Sequence, residues 1–320
     1  MRTDLIKIAW RNLLKDRTFS IINIFGLAIG LACFILISMY VVDELSYDRY
    51  HENADRIYRV NADLLFAGNE MKIATSSDPM GETLKRDYPE VEEFARIYNS
   101  NGSKQIKKGN EYINETAVAH ADSTVFNVFT LPLVQGVAAE ALTAPNSVVI
   151  SESMANKYFG RTNVVGEPLE TDDKGSTLYK VTGVMKDMPG NGHFRFDFLF
   201  SMHNVEYGFG NYLSHNFYTY VLLKPGTDAK KFDGHFNEVL EKYVFPQAAA
   251  LMNLGSIDDF EKAGNKLSYH LMPITDIHLR SDRFPELSPT GNERYVYIFS
   301  AVAIFILLLA CVNFINLSTA

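Results

Sequence analysis

The chain has 320 residues, a hydrophobic fraction of 47% and a formal net charge of −8, averages that an ordinary globular protein would also give. The charge is unevenly divided, because residues 1–20 carry a net +3, residues 43–294 carry −11, and two apolar runs carry none. This acidic balance gives no basic surface for nucleic acid, and we expect no such partner. The only cysteines, Cys33 and Cys311, lie inside the apolar runs, so the region between the runs must fold without a disulfide.

Residues 1–20 are predicted to form a cytoplasmic amphipathic helix. At helical spacing the basic side chains of the sequence DLIKIAWRNLLKDR form one stripe, and its apolar side chains form another. A basic amphipathic helix suits the inner face of a membrane, where it would contact lipid. A positive flank that only sets topology fits equally well. The membrane-interface candidates are Lys7, Trp10, Arg11, Lys15 and Arg17.

Residues 21–42 (IINIFGLAIGLACFILISMYVV) contain no charge and as a helix would measure roughly 33 Å, enough to cross a bilayer. Cations before this run and acids after it predict a cytoplasmic N-terminus and an outer domain. The run exceeds a signal-peptide core and no A-x-A site follows, which favours a retained span over a cleaved leader. Gly26 and Gly30 make a G-x-x-x-G that allows close helix approach, so both are helix-packing candidates.

Residues 43–294 are predicted to form an α+β domain with two β-α-β units around a β-rich insert. The two units are expected at strand 56–65, helix 79–87 and strand 91–98, and at strand 217–223, helix 229–243 and strand 267–274. Within the insert we expect strands at 148–150, 178–184 and 194–200, and a helix capped by Ser151 that stops at Gly160. The predicted division is therefore a split domain, 51–99 with 212–280, around an insert at 100–211.

Residues 296–317 are predicted to form a second transmembrane helix. Asn313 and Asn316 lie three residues apart on one helical face, and an amide in hydrocarbon is costly unless it finds a partner. Both are therefore helix-packing candidates. Because the sequence ends directly after this span, we expect the natural chain to continue beyond Ala320.

Signatures of catalysis and metal binding are absent from the sequence. It has no G-x-x-x-x-G-K-[ST], H-E-x-x-H or G-x-S-x-G. Some histidines have a carboxylate nearby, as in His51 with Glu52, His120 with Asp122 and His278 with Asp276, but no two histidines share a ligand spacing. We predict no catalytic residue, no cofactor and no metal site in this chain.

Several segments, in their order, resemble a known family. They are AWRNLLKDRTFSIINIFGLAIGLA, SVVISESMANKYFG, the step Gly166-Glu167-Pro168-Leu169, VTGVMKDMPGNGHFRFDF and CVNFINLSTA. Together they are similar to the FtsX-like ABC transporter permeases with a MacB-type periplasmic core domain, above all to those of Bacteroidetes-type bacteria.

The resemblance implies a membrane protein of the bacterial inner membrane, with two spans flanking a periplasmic domain. In the family the split part (51–99 and 212–280) is called Porter and the insert (100–211) is called Sabre. It further implies an ABC ATPase partner that binds the ATP, a homodimer or paired permease, a periplasmic adaptor in some members, and a role in export or mechanotransmission. The remaining spans of such a permease would follow Ala320.

Two other functions fit part of the pattern. A membrane-bound sensor with a periplasmic ligand-binding domain has the same layout of span, domain and span. It would be distinguished by a signalling domain, instead of further spans, in the gene beyond Ala320. A membrane-anchored periplasmic enzyme has the layout but no catalytic constellation to support it.

Overall fold

The computed structural model describes residues 17–99, 102–172, 175–252, 261–262 and 264–319, without the side chains at 19 and 317–319. The described chain forms two compact units. One is a helical unit, built from positions up to 46 and from 291 onward. The other is a domain at Tyr47–Thr290.

The helices and strands are as follows. The helices are α1 (Arg17–Leu45), α2 (Met80–Asp87), α3 (Val125–Val128), α4 (Glu152–Phe159), α5 (Ala229–Phe232), α6 (His235–Val239), α7 (Phe245–Met252), α8 (Ile274–Arg280) and α9 (Glu293–Thr319), with a π-helical turn at Leu240–Val244 between α6 and α7. The strands are β1 (Ile57–Phe66), β2 (Asn69–Ile73), β3 (Ser76–Ser77), β4 (Val91–Tyr98), β5 (Lys104–Lys108), β6 (Glu111–Glu115), β7 (Val118–Ala121), β8 (Leu133–Gly136), β9 (Ser147–Ser151), β10 (Pro168–Thr171), β11 (Thr177–Met185), β12 (Phe198–Ser201), β13 (His215–Leu223) and β14 (Lys266–Pro273).

Both apolar runs are helices long and apolar enough to cross a membrane, with mean hydropathies of 2.5 and 2.8. They pack antiparallel, because Gly26 lies against Asn313 and Gly30 lies against Ala310, while the ring of Tyr40 contacts that of Phe299 further along. A Cβ added at Gly30 would lie 3.3 Å from the Ala310 Cβ. The absence of a side chain at Gly30 thus lets the helices approach closely.

The buried residues of α9 repeat every seven positions, at Val296, Ala303 and Ala310. A seven-residue repeat is the spacing of a coiled-coil seam, which keeps one stripe facing the partner helix. On α1 the buried Asn23 precedes Gly26 and Gly30 along the facing stripe. The other faces of both helices expose large apolar side chains, the surface that a lipid environment requires.

The centre of the domain is a four-stranded antiparallel sheet in the order β14-β1-β13-β4. Two β-α-β units build it, one from the start and one from the end of the domain, and each inserts a strand between those of the other. Strands β1, β4, β13 and β14 lie within a residue or two of their predicted positions. This is the split β-α-β arrangement in which two halves complete one sheet.

Strand β13 is buried on both faces. Its even-numbered residues Tyr218, Tyr220 and Leu222 belong to one apolar cluster, and the odd-numbered Val221 and Leu223 belong to another, under α2, α5 and α6. Because successive side chains of a strand point to opposite faces, this one strand contributes to two cores. Seven of its residues in a row are buried, which explains the unbroken apolar run FYTYVLL.

The strands from the insert extend the same sheet rather than forming another. From β4 the order continues through β7, β12, β9, β11, β10, β5 and β6, with parallel pairing of β7 to β12 and of β9 to β11. A third apolar cluster lies under α4. As predicted, the Ser151 hydroxyl caps α4 and Gly160 ends it with φ 70°. The division into Porter-like and Sabre-like parts stays a prediction.

Two predicted elements differ from the structure. The strand expected at 194–200 begins only at Phe198; Phe194 and Phe196 are core residues on irregular backbone. The helix expected at 229–243 is broken at Asp233–Gly234 and then continues past 243 to Met252 through the π-helical turn. In both places apolar spacing identified the buried side chains but not the backbone that carries them.

We predict that Gly30→Leu separates α1 from α9, whereas Ala28→Leu on the exposed face leaves them paired. A leucine at position 30 must displace Ala310, and overpacking of this kind costs about 1–3 kcal/mol. The measurement is chemical cross-linking between cysteines placed at Tyr40 and Phe299, in a background without Cys33 and Cys311. Equal cross-linking of both variants would show that Gly30 is not needed for this contact.

Candidate functional site

Two segments connect the domain to the helices in sequence, and both are anchored in one buried polar cluster. The outgoing connector, residues 47–56, follows α1, and the return connector, residues 281–290, precedes α9. We call the buried group the connector cluster. Its members are Asp48, His51, Arg59, His193, Tyr220 and Glu286.

Asp48 and His193 hold the outgoing connector to the loop before β12. The Asp48 carboxylate accepts hydrogen bonds from the His193 backbone N–H (3.1 Å) and the His193 Nδ1–H (2.8 Å). The Asp48 N–H donates to the Asn191 carbonyl at 2.8 Å. Asp48 is 1% exposed and has a φ of 60°, a region that few non-glycine residues enter. Its hydrogen bonds stabilise this unusual backbone conformation.

His193 continues the network into the centre of the sheet. Its Nε2 lies 2.7 Å from the hydroxyl of Tyr220, which is fully buried on β13. Because Nδ1 donates to the carboxylate, Nε2 accepts from the tyrosine in the neutral ring. Burial raises the pKa of Tyr220 well above its ordinary value, so this hydroxyl stays protonated as a donor. The group acts as a structural link rather than as a source of a nucleophile.

Gly192 lets this loop approach the connector closely. A Cβ at position 192 would lie 2.9 Å from the Tyr50 hydroxyl and 3.6 Å from the Asp48 Oδ1. The second glycine of the sequence MPGNGH is therefore required here because a side chain at position 192 would collide with the connector.

His51 is buried beside the same carboxylate. Its Nδ1 accepts from the Thr130 N–H at 3.1 Å, and its Nε2 is 4.0 Å from Asp48 Oδ1. Burial lowers the pKa of His51 to about 4, against the opposing attraction of Asp48 and with a further lowering from His193. The ring is therefore neutral at ordinary pH.

Arg59 and Glu286 hold the return connector. The guanidinium on β1 is fully buried and forms two hydrogen bonds with the Glu286 carboxylate, at 2.5 and 2.8 Å. Burial is the largest single influence and lowers the pKa of Arg59, but the hydrogen bonding to Glu286 together with the electrostatic interactions with Tyr220, Glu286 and Tyr218 raises the pKa of Arg59 overall. Ser281 also donates to Glu286. A buried bidentate pair of this kind fixes geometry as well as charge.

The two connectors meet at His193. The Ser288 hydroxyl on the return connector donates to the His193 carbonyl at 2.7 Å, while Asp48 on the outgoing connector binds the N–H and ring of the same residue. Tyr47 also stacks on His278 of α8, with ring centroids 3.4 Å apart. Both connectors thus contact the same residue, and His193 links them to the sheet through Tyr220.

The sequence-predicted site residues lie elsewhere. Gly26, Gly30 and Asn313 are in the contact of α1 with α9 within one chain. Arg17 is the first residue of α1 and is exposed, and Asn316 lies on α9. Lys7, Trp10, Arg11 and Lys15 are outside the described residues. The roles of all of these residues in packing between protomers or at the membrane surface stay predictions.

The sequence reasoning did not identify the connector cluster. It paired His51 with Glu52, whereas the structure puts His51 beside Asp48, which is three residues earlier, and beside His193, which is far away in sequence. One signal was present, because the segment that carried the family likeness, VTGVMKDMPGNGHFRFDF, contains both Gly192 and His193. Across the described ranges, no three His, Cys, Asp or Glu residues form a group that could hold a metal ion.

Comparison with known proteins identifies the family. The sequence pattern of the MacB-like periplasmic core domain matches residues 20–238, and the chain belongs to this family of ABC-transporter-type permeases. It is thus a membrane protein with a periplasmic domain of mixed sheet and an apolar helix at each end. No curated protein sequence matches the chain.

The chain is similar to solved structures, and the first of the two described here shares its fold. A permease domain from Porphyromonas gingivalis is 23% identical with a TM-score of 0.59, over 78% of this chain and 98% of that one. The periplasmic region of MacB from Actinobacillus actinomycetemcomitans is 14% identical with a TM-score of 0.46, over 70% of this chain and 91% of that one.

We predict that Arg59→Met lowers the free energy of unfolding of the domain by about 3–5 kcal/mol, because it leaves the Glu286 carboxylate buried without its counter-ion. The matched control is Lys72→Met, which breaks the exposed pair of Lys72 with Asp282 (2.6 Å) on the same return connector and should cost less than about 1 kcal/mol. Native-state hydrogen exchange of β13 amides, with the chain in lipid nanodiscs, measures the loss of free energy of unfolding in each variant. Equal losses would contradict the anchoring role of Arg59.

We also predict an acid-dependent loss of stability that depends on His51. Its pKa is about 4 when folded and 6.5 in the unfolded chain, so between these values only the unfolded chain takes up the proton. Above pH 6.5 the contribution of His51 to the free energy of unfolding does not change with pH. As the pH falls towards 4, the free energy of unfolding decreases by at most about 3 kcal/mol. His51→Asn should flatten the pH dependence of β13 exchange across this interval, and the exposed His203→Asn should not. An unchanged slope in His51→Asn would assign the acid response to other groups.

Proposed function

We propose that this chain is the permease subunit of an ABC-type mechanotransmission complex. A separate ATPase binds and hydrolyses ATP, and the permease passes the resulting motion to its periplasmic domain for export or release of a periplasmic or membrane substrate. The chain itself needs no cofactor in this scheme. The N-terminus lies in the cytoplasm, as the five cations before the apolar run at 21–42 favour.

The observation that carries the proposal is the anchoring of both connectors in one cluster. Asp48 accepts from the backbone N–H and the ring of His193, Ser288 donates to the carbonyl of the same residue, and Arg59 binds Glu286. Flexible tethers would absorb a movement of α1 or α9, whereas connectors held by buried charges transmit it as rigid-body motion. Membership of the permease family supports this function over a sensor with the same layout.

The proposed partners follow from this function. They are an ABC ATPase on the cytoplasmic side, a second permease copy or a paired permease, membrane lipid, and a periplasmic adaptor. The exposed apolar faces of α1 and α9 supply the contacts with lipid and with the helices of a second permease.

The test uses the full gene product, purified with its ATPase in nanodiscs. Hydrogen exchange of residues 188–193 and of β13 should change between the nucleotide-free state and the state trapped with ATP and vanadate. In the double variant Asp48→Asn with Ser288→Ala, we expect ATP hydrolysis to continue while this change in exchange shrinks. Asparagine suits the substitution because it also tolerates a positive φ.

The matched control is Tyr218→Phe. Tyr218 lies two residues from Tyr220 on the same face of β13, but outside the connector cluster. This variant should keep both the ATPase activity and the full change in exchange. Reproducible absence of an ATPase partner, or a full change in exchange in the double variant, would refute the proposed coupling.

A further inference from the structure

A cavity of about 570 Å³ opens beside the C-terminal end of β1 and the N-terminal end of β14, away from the connector cluster. One wall is α7 with the π-helical turn before it, and the other wall is formed by strand residues that include Leu64, Phe66 and Leu267. Proteins are otherwise packed almost without voids. A cavity of this size and apolar lining has the dimensions of a small-molecule site.

The π-helical turn produces the cavity. The apolar stripe of the α6–α7 helix runs through Phe236 and Val239, which are buried in the core, and makes a five-residue step to the buried Val244. From there it continues to Ala248 and Leu251, which face the cavity instead of the core. Leu251 is 74% exposed and Phe66 across the gap is 41% exposed. Single π-helical turns occur often at functional sites.

The edge of the cavity carries charge that the protein does not neutralise. Glu241, Glu261 and Lys266 all line it and are exposed. None of the three has an ion-pair partner in the described parts of the chain. Two carboxylates against one ammonium leave a net negative edge around an apolar interior.

We propose that this cavity binds a small amphiphile with an apolar body and one positive charge. The apolar body is buried between Leu64 and Leu251, where it removes apolar surface of both walls from water. The cation lies at the edge near Glu241 and Glu261, where an anion would meet net repulsion. This site is independent of ATP-driven coupling, and its occupancy is measured without the ATPase, so either proposal can fail alone.

The test compares two ions of the same shape and opposite charge. The chain in nanodiscs is incubated with tetraphenylphosphonium or with tetraphenylborate, and hydrogen exchange is followed in residues 240–252 and 266–268. At ten times its dissociation constant, the phosphonium should slow exchange of these amides about tenfold. Because both ions also partition into lipid, only protection confined to these segments counts as binding.

Matched variants locate the site. Ala248→Trp fills the cavity and should abolish the protection, while Ala250→Trp, two residues further on the exposed side of α7, should keep it. The double variant Glu241→Gln with Glu261→Gln should weaken binding about two- to fivefold, the contribution of solvent-exposed ion pairs. Glu111→Gln on the exposed β6 serves as its control.

Three results would overturn the proposal. They are the absence of local protection by either ion, equal protection in Ala248→Trp and in the unaltered chain, and protection by tetraphenylborate as strong as that by the phosphonium. The last would show an apolar site without the proposed selection for positive charge.

Discussion

The buried carboxylate of Asp48 constrains the structure more than any other single group. A carboxylate that is 1% exposed must find donors inside the protein, because burial of an unsatisfied charge is very costly. His193 supplies two of them from the loop before β12, so the loop has to close over the outgoing connector. The imidazole then needs a donor at its other nitrogen, which Tyr220 supplies from the middle of the sheet. One charge thus fixes a connector, a loop and a strand.

The return connector is fixed in the same way, by a buried side chain of the opposite charge. Arg59 is fully buried on β1, so its counter-ion must come from a segment that can reach it, and Glu286 does. Buried ion pairs contribute little net stability but specify geometry, since each partner is costly to leave alone. The pair therefore fixes the position of the return connector against β1.

The sequence predicted those parts of the fold that follow from local pattern. The spacing of apolar residues located β1 and β4, an unbroken apolar run located β13, and the Ser151 cap with Gly160 located α4, because neighbours along the chain decide these features. The connector cluster could not be found in this way, since Asp48 and His193 are far apart in sequence and the family likeness around His193 does not indicate what its side chain contacts. The π-helical turn was equally hidden, because a one-residue insertion leaves the apolar residues at nearly helical spacing. Which charged residues pair across the chain can be predicted only when the folded topology is known.

The interleaving of the two β-α-β units has a consequence for how the protein is made. Ile57 on β1 pairs with Leu222, and Tyr58 pairs with Pro273, so the long-range partners of the first strand are synthesised only after the whole insert. Contacts so distant in sequence form slowly, because the chain must first close a long loop. The strands at 118–201 have partners nearer in sequence than those of β1, such as Val118 with Phe198 and Ile150 with Phe198, and can assemble earlier. Until β14 is made, β1 therefore has one long edge unpaired, and an unpaired strand edge is a site at which another chain can pair.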